Sequence, residues 1–93
     1  MPFETHLSIT AMVLGGAFDR LPTSLRLCFA HGGGAFPYLL GRLENAWHER
    51  TLARGKSAMP PSHYLDRFSV DSAVFDGRAL RLLIDTMGAE RVL

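Results

Sequence analysis

Residues 31–37 run His-Gly-Gly-Gly-Ala-Phe-Pro and directly follow the apolar stretch Leu25-Arg26-Leu27-Cys28-Phe29-Ala30. The length of that stretch and its break at three glycines fit a buried parallel strand, although it lacks a β-branched residue. A histidine at the C-terminal end of such a strand lies on the loop face, where parallel-sheet enzymes put their chemistry. An imidazole, with a reference pKa of about 6.5, can exchange a proton near neutrality. His31 therefore carries most of the functional signal. The plainer reading, a strand-end histidine satisfied by backbone, stays open beside it.

Glycine-rich segments also serve other chemistries. An oxyanion hole of the HGGG type needs a Gly-x-Ser-x-Gly nucleophile elbow, and no serine here sits in one. A phosphate cradle needs a following Lys-Ser/Thr, whereas the next helix opens on Phe36-Pro37. His6, His48 and His63 have no ligand-like spacing with a partner and read as surface or loop residues. Asp71 lies near a strand end, where lining the pocket is one open reading, without an assigned role.

The elements that position His31 follow from periodicity. Thr5 to Arg20 reads as a helix, weakened at Gly15-Gly16 and ended by Leu21-Pro22. Leu25–Ala30 is the strand. Pro37 opens a second helix expected to run to about Ala53, with Leu39, Leu43, Trp47 and Arg50 on one stripe. Trp47 reads as an interface or core anchor rather than a substrate contact. After a loop, Ser62 is expected to cap a short turn, His63 to Asp66. Phe68 to Phe75 reads as a second strand, ending near Val74. Asp76 is placed as the N-cap of a helix carrying the stripe Leu80, Leu83, Ile84, Met87, and Gly88 stops it. Arg91-Val92-Leu93 looks like the start of a third strand.

The order α-β-α-β-α-(β) predicts an alternating α/β fold with a parallel sheet. Such a sheet needs both faces covered and its edges paired, and two strands with a stub leave edges open. A (β/α)8 barrel takes about 250 residues, against 93 here. The expectation is α/β: a partial (β/α)8 TIM-barrel segment, with a complete small domain as the alternative. Hydrophobic content of 47% with 20% charged residues excludes a disordered chain. A net charge of +1 without a basic run argues against nucleic acid as partner. Ala11–Phe18 is too short an apolar run to span a bilayer, and the N-terminus lacks a basic leader. The single Cys28 reads as a small core residue, and a reducing cytoplasmic setting is the default.

The run HGGGAFPYLLGRLENAWHER resembles the amidohydrolase-related barrel family, and within it the branch that decarboxylates aminocarboxymuconate semialdehydes. The resemblance continues through PPSHYLDRF, VDSAVFD and ALRLLIDTMGAERVL, and the preceding PFETHLSITAMVLGGAFDRLP is similar to the family's Pro-x-Glu-Thr helix. It covers nearly all of residues 1–93, which would span the helix before the sixth barrel strand to the start of the eighth. The resemblance implies a zinc-dependent, non-oxidative carboxy-lyase of tryptophan-type catabolism. His31 matches the sixth-strand histidine that acts as acid/base on zinc-bound water. The family's zinc ligands, on its first, fifth and eighth strands, match nothing in this chain, so no metal ligand is expected among its residues. Arg42 and Arg50 match arginines that bind substrate carboxylate, some across a dimer interface, a task suited to the planar guanidinium fork.

The partners implied are a small carboxylated substrate and either a second copy, as in a homodimer, or a complementing barrel segment. The isolated chain is then expected to be inactive. Two classes stay open: a segment of a metal-dependent carbon–carbon lyase or related hydrolase, and a non-catalytic remnant or assembly module of that fold.

Overall fold

Ile9 and Val13 are four positions apart, so both fall on one helical face, and both are fully buried in helix α1 (Pro2–Leu14). The computed structural model, which describes residues 2–93, breaks the expected Thr5–Arg20 helix at the glycine pair. Gly16 takes φ 77°, and a Cβ there would lie 2.9 Å from the Lys56 carbonyl oxygen. Only glycine fits that crossing without strain. Lys56 N–H donates to the Leu14 carbonyl at 2.6 Å, and the chain restarts as α2 (Ala17–Arg20).

Strands β1 (Cys28–Phe29) and β2 (Ser69–Val70) pair in parallel, Cys28 opposite Ser69 and Phe29 opposite Val70. Ser69 N–H donates to Leu27 O at 2.8 Å and Asp71 N–H to Phe29 O at 3.1 Å. On the other side of β2, Val70 forms a parallel bridge with Val92, and Leu93 N–H reaches Val70 O at 2.8 Å. The expected parallel order is present; of the expected third strand, only an isolated bridge at Val92 forms, because Arg91 still belongs to a 3₁₀ turn, Ala89–Arg91. The strands are shorter than the apolar runs suggest, two residues each, and His31 and Phe75 beyond them take φ 56°. No described helix is long and apolar enough to cross a membrane.

Helix α3 (Phe36–Glu49) begins on a buried Phe36 with Pro37 in its first turn. It stops at Glu49 rather than near Ala53, because Arg50 is extended, and a 3₁₀ turn covers Thr51–Arg54. Trp47 anchors that corner. Its indole N–H donates to Ser57 Oγ at 2.9 Å, and the Arg54 guanidinium lies 4.2 Å over its ring. Ser62 caps nothing. It lies inside a 3₁₀ helix, Pro61–Arg67, and its N–H donates to the Glu44 carboxylate at 2.8 Å. Helix α4 (Gly77–Met87) has the expected ends: Asp76 accepts from Ala79 N–H at 3.0 Å, and Gly88 closes it. Leu83 and Met87 are its buried stripe.

The core is aromatic. Phe68, just before β2, stacks on Phe18 with centroids 5.7 Å apart and meets Phe29 and Phe36 edge-on at 5.4 and 5.9 Å. Cys28 is not a core residue. Strand neighbours face opposite sides, so Phe29 turns to Phe68 and Cys28 is exposed.

Candidate active site

The ladder that pairs β1 with β2 ends at the same level on both strands; Asp71 follows β2 directly, and His31 follows β1 after Ala30. Gly32 and Gly33 are buried, while His31 itself is exposed. His31 has φ 56°, and Gly32, Gly33 and Gly34 follow at 60°, 79° and 62°. For a residue with a Cβ such a conformation costs on the order of 1–3 kcal/mol, and the surroundings must hold it in place.

Two residues do so. Asp71 Oδ2 accepts from His31 N–H at 3.2 Å, and its Oδ1 accepts from Gly32 N–H at 2.8 Å and Ala73 N–H at 3.1 Å. These backbone donors, Gly32 foremost, hold the Asp71 carboxyl below its ordinary 3.8. From α1, Thr5 Oγ1 stands 3.2 Å from His31 Nδ1. That hydroxyl serves either tautomer, donating to a bare Nδ1 or accepting from Nδ1–H. The arrangement leaves an exposed imidazole, fixed at backbone and at one ring nitrogen, able to take and return a proton.

The whole described chain, residues 2–93, matches the family model described as Amidohydrolase. The chain belongs to the amidohydrolase family. It is 45% identical over 93 residues to the 2-amino-3-carboxymuconate-6-semialdehyde decarboxylase of Dictyostelium discoideum, covering 99% of this chain and 26% of that protein. The protein of the same name from Caenorhabditis elegans is 40% identical over 94 residues, covering all of this chain and 23% of its own length. The chain thus spans about a quarter of the length of these curated relatives. Among solved structures, the IDCase of Metarhizium anisopliae superposes with a TM-score of 0.85 at 30% identity, over 100% of this chain and 26% of that one. The 5-carboxyvanillate decarboxylase of Sphingomonas paucimobilis gives 0.83 at 33%, over 99% and 28%.

Arg42 and Arg50, which the sequence assigned to substrate carboxylates in this amidohydrolase, sit on and at the end of the helix that follows the His31 turn. Arg42 and Arg50 are exposed, on α3 and at its C-terminal cap, and no hydrogen bond or ion pair joins either to the His31 turn. At 1.5 Å per residue, Arg42 lies roughly 9 Å and Arg50 roughly 21 Å along the axis from Phe36. Among the described residues no three His, Cys, Asp or Glu side chains are grouped to hold a metal ion. The described donors of this chain therefore do not by themselves fit the zinc that the family resemblance implies.

Sequence reasoning missed Asp71 and Thr5 as partners of His31, and it misplaced His6. Rather than lying at the surface, His6 is only 7% exposed, with its ring 6.2 Å from those of Phe3 and Phe36. Burial lowers its pKa from 6.5, and its Nδ1 has no partner. A signal existed: residues 6, 9 and 13 share one helical stripe. His48 and His63 are exposed, as expected.

Proposed function

We propose that this chain supplies the acid/base of a decarboxylase built on a (β/α)8 barrel, of which β1, β2 and the Val92 bridge are neighbouring parallel strands. The observation that carries the reading is His31, exposed at the end of a parallel strand and held from two other elements. The relatives' names, all decarboxylases where the reaction is spelled out, support the reaction class.

Decarboxylation breaks the bond between carbon and carboxylate, carbon dioxide leaves, and the electron pair stays on the carbon. A proton must then arrive there. Protonated His31 donates it, and the neutral imidazole recovers one from water. The substrate class is a small polycarboxylate of the aminocarboxymuconate semialdehyde type. Arg42 binds a substrate carboxylate through its two-pronged fork. Arg50, roughly 21 Å along α3, serves a second copy in a homodimer or a complementing segment. The zinc of the parent enzyme is held by residues outside this chain. The reaction belongs to tryptophan-type catabolism in the cytoplasm, a reducing setting that suits a lone exposed thiol.

The test is a chimera in which residues 1–93 replace the matching segment of the Dictyostelium relative. His31→Ala should lower kcat by about 10²–10⁴-fold with KM little changed. Arg42→Ala should chiefly raise KM, and Arg42→Lys should recover only part of that loss. Near-normal turnover in the His31→Ala chimera would make the histidine structural and the chain a non-catalytic module.

A further inference from the structure

We propose that Asp71 is the positioning residue for His31: its carboxylate holds the histidine's backbone in the left-handed turn and so aims the imidazole at the substrate. The inference rests on the reading of His31 as the proton-transferring group.

The ladder between β1 and β2 is complete without the Asp71 side chain. Main-chain bonds from Ser69 N–H to Leu27 O and from Asp71 N–H to Phe29 O already tie the strands. The carboxylate reaches past that ladder to the turn 40 residues earlier in the chain. There, His31 and Gly32 are consecutive residues at positive φ, 56° and 60°, and both of their N–H groups point at one acceptor. Successive backbone N–H groups that converge in this way form an anion cradle, and Asp71 supplies the anion from within the chain.

A glycine would adopt φ 56° without strain, and the three positions that follow are glycines. Only position 31 in the run carries a side chain, and it is also the first of the N–H groups that Asp71 binds. An ionised carboxylate suits the place because it only accepts, and its two oxygens serve three donors. The Thr5 hydroxyl then fixes the ring at Nδ1, 3.2 Å away. Backbone held from just beyond β2 and ring held from α1 leave the imidazole little freedom.

Asp71→Asn separates positioning from bulk stability. The amide oxygen can still accept from Gly32 and Ala73, while the NH2 group faces His31 N–H, donor against donor. In the chimera, well below its melting temperature, Asp71→Asn should lower kcat about 10- to 100-fold, with KM within about twofold. Combined with His31→Ala it should add little, because both changes remove one device. If His31→Ala collapses turnover and Asp71→Asn leaves kcat intact, the positioning role is wrong. If the double variant multiplies the two losses, Asp71 acts apart from His31 and the role is also wrong. Normal turnover in His31→Ala alone overturns the histidine's role, and with it this one. Should Asp71→Asn fail to fold, NMR of the unaltered chain decides. The Gly32 amide proton should shift with protonation of the Asp71 carboxyl, below pH 3.8, and an amide indifferent to that titration overturns the proposal.

Discussion

Two aspartates cross-link this chain over similar distances in sequence, and their surroundings give them opposite tasks. Asp19, on α2, accepts from the Tyr64 hydroxyl with both oxygens, at 2.7 and 2.9 Å, and from Ala58 N–H at 3.0 Å. Tyr64 is 1% exposed and stacked on Phe18, so this latch closes over the aromatic core. Arg67 strengthens it, donating to Phe18 O at 2.6 Å and Leu21 O at 3.0 Å. Asp71 binds backbone N–H groups of a turn whose imidazole faces solvent. The same acceptor chemistry therefore secures packing at one end of the molecule and orientation at the other. What differs is the donor: a buried side chain whose hydroxyl needs a partner, against a strained backbone whose side chain must be free.

The sharpest way to break this division is Tyr64→Phe. It removes the hydroxyl that Asp19 holds and orphans Met59 N–H, which donates to that oxygen at 3.1 Å. A loss of about 1–2 kcal/mol in a denaturant melt is expected, with kcat of the chimera unchanged. If Tyr64→Phe slowed turnover as much as Asp71→Asn, the two latches would not be separate.

Acid should divide the molecule differently. Buried His6 has its pKa lowered from 6.5 by desolvation. The folded chain resists a proton that the unfolded chain accepts, so stability is full above pH 6.5 and falls as the pH drops below it. Both aspartates are held below 3.8, chiefly by backbone donors. Their contributions are full above pH 3.8 and are lost only as the pH falls through the depressed values. Melts from pH 8 down to about pH 2 should thus show an upper arm belonging to His6 and a lower one, below pH 3.8, belonging to the aspartates. His6→Leu should erase the upper arm alone. An upper arm that survives His6→Leu would assign it to another group.

The smallest expected effect comes from Thr5→Val. Losing the one hydrogen bond at His31 Nδ1 should lower kcat by no more than about tenfold, with KM and stability nearly unchanged. A larger loss than in Asp71→Asn would mean that the ring contact, not the backbone clamp, does most to orient the imidazole.

Much of the architecture was legible in the chain because its causes are local. Asp76 caps α4 and Gly88 ends it through bonds spanning three or four residues. Phe36-Pro37 starts α3 for the same kind of reason. The parallel order of β1, β2 and the Val92 bridge follows from helices lying between apolar runs. His31 was visible at its strand end because the three glycines mark where the strand stops.

The partners of His31 were not visible. Asp71 and Thr5 reach it from 40 and 26 residues away, and only the register of β2 on β1 and the packing of α1 bring them there. Burial of His6 and exposure of Cys28 likewise depend on which face meets Phe36 or Phe68. Residue types and short spacings determined the elements, their ends and the histidine. Tertiary structure alone decided which carboxylate and which hydroxyl hold that histidine, because a hydrogen bond between distant residues exists only once packing has set their separation.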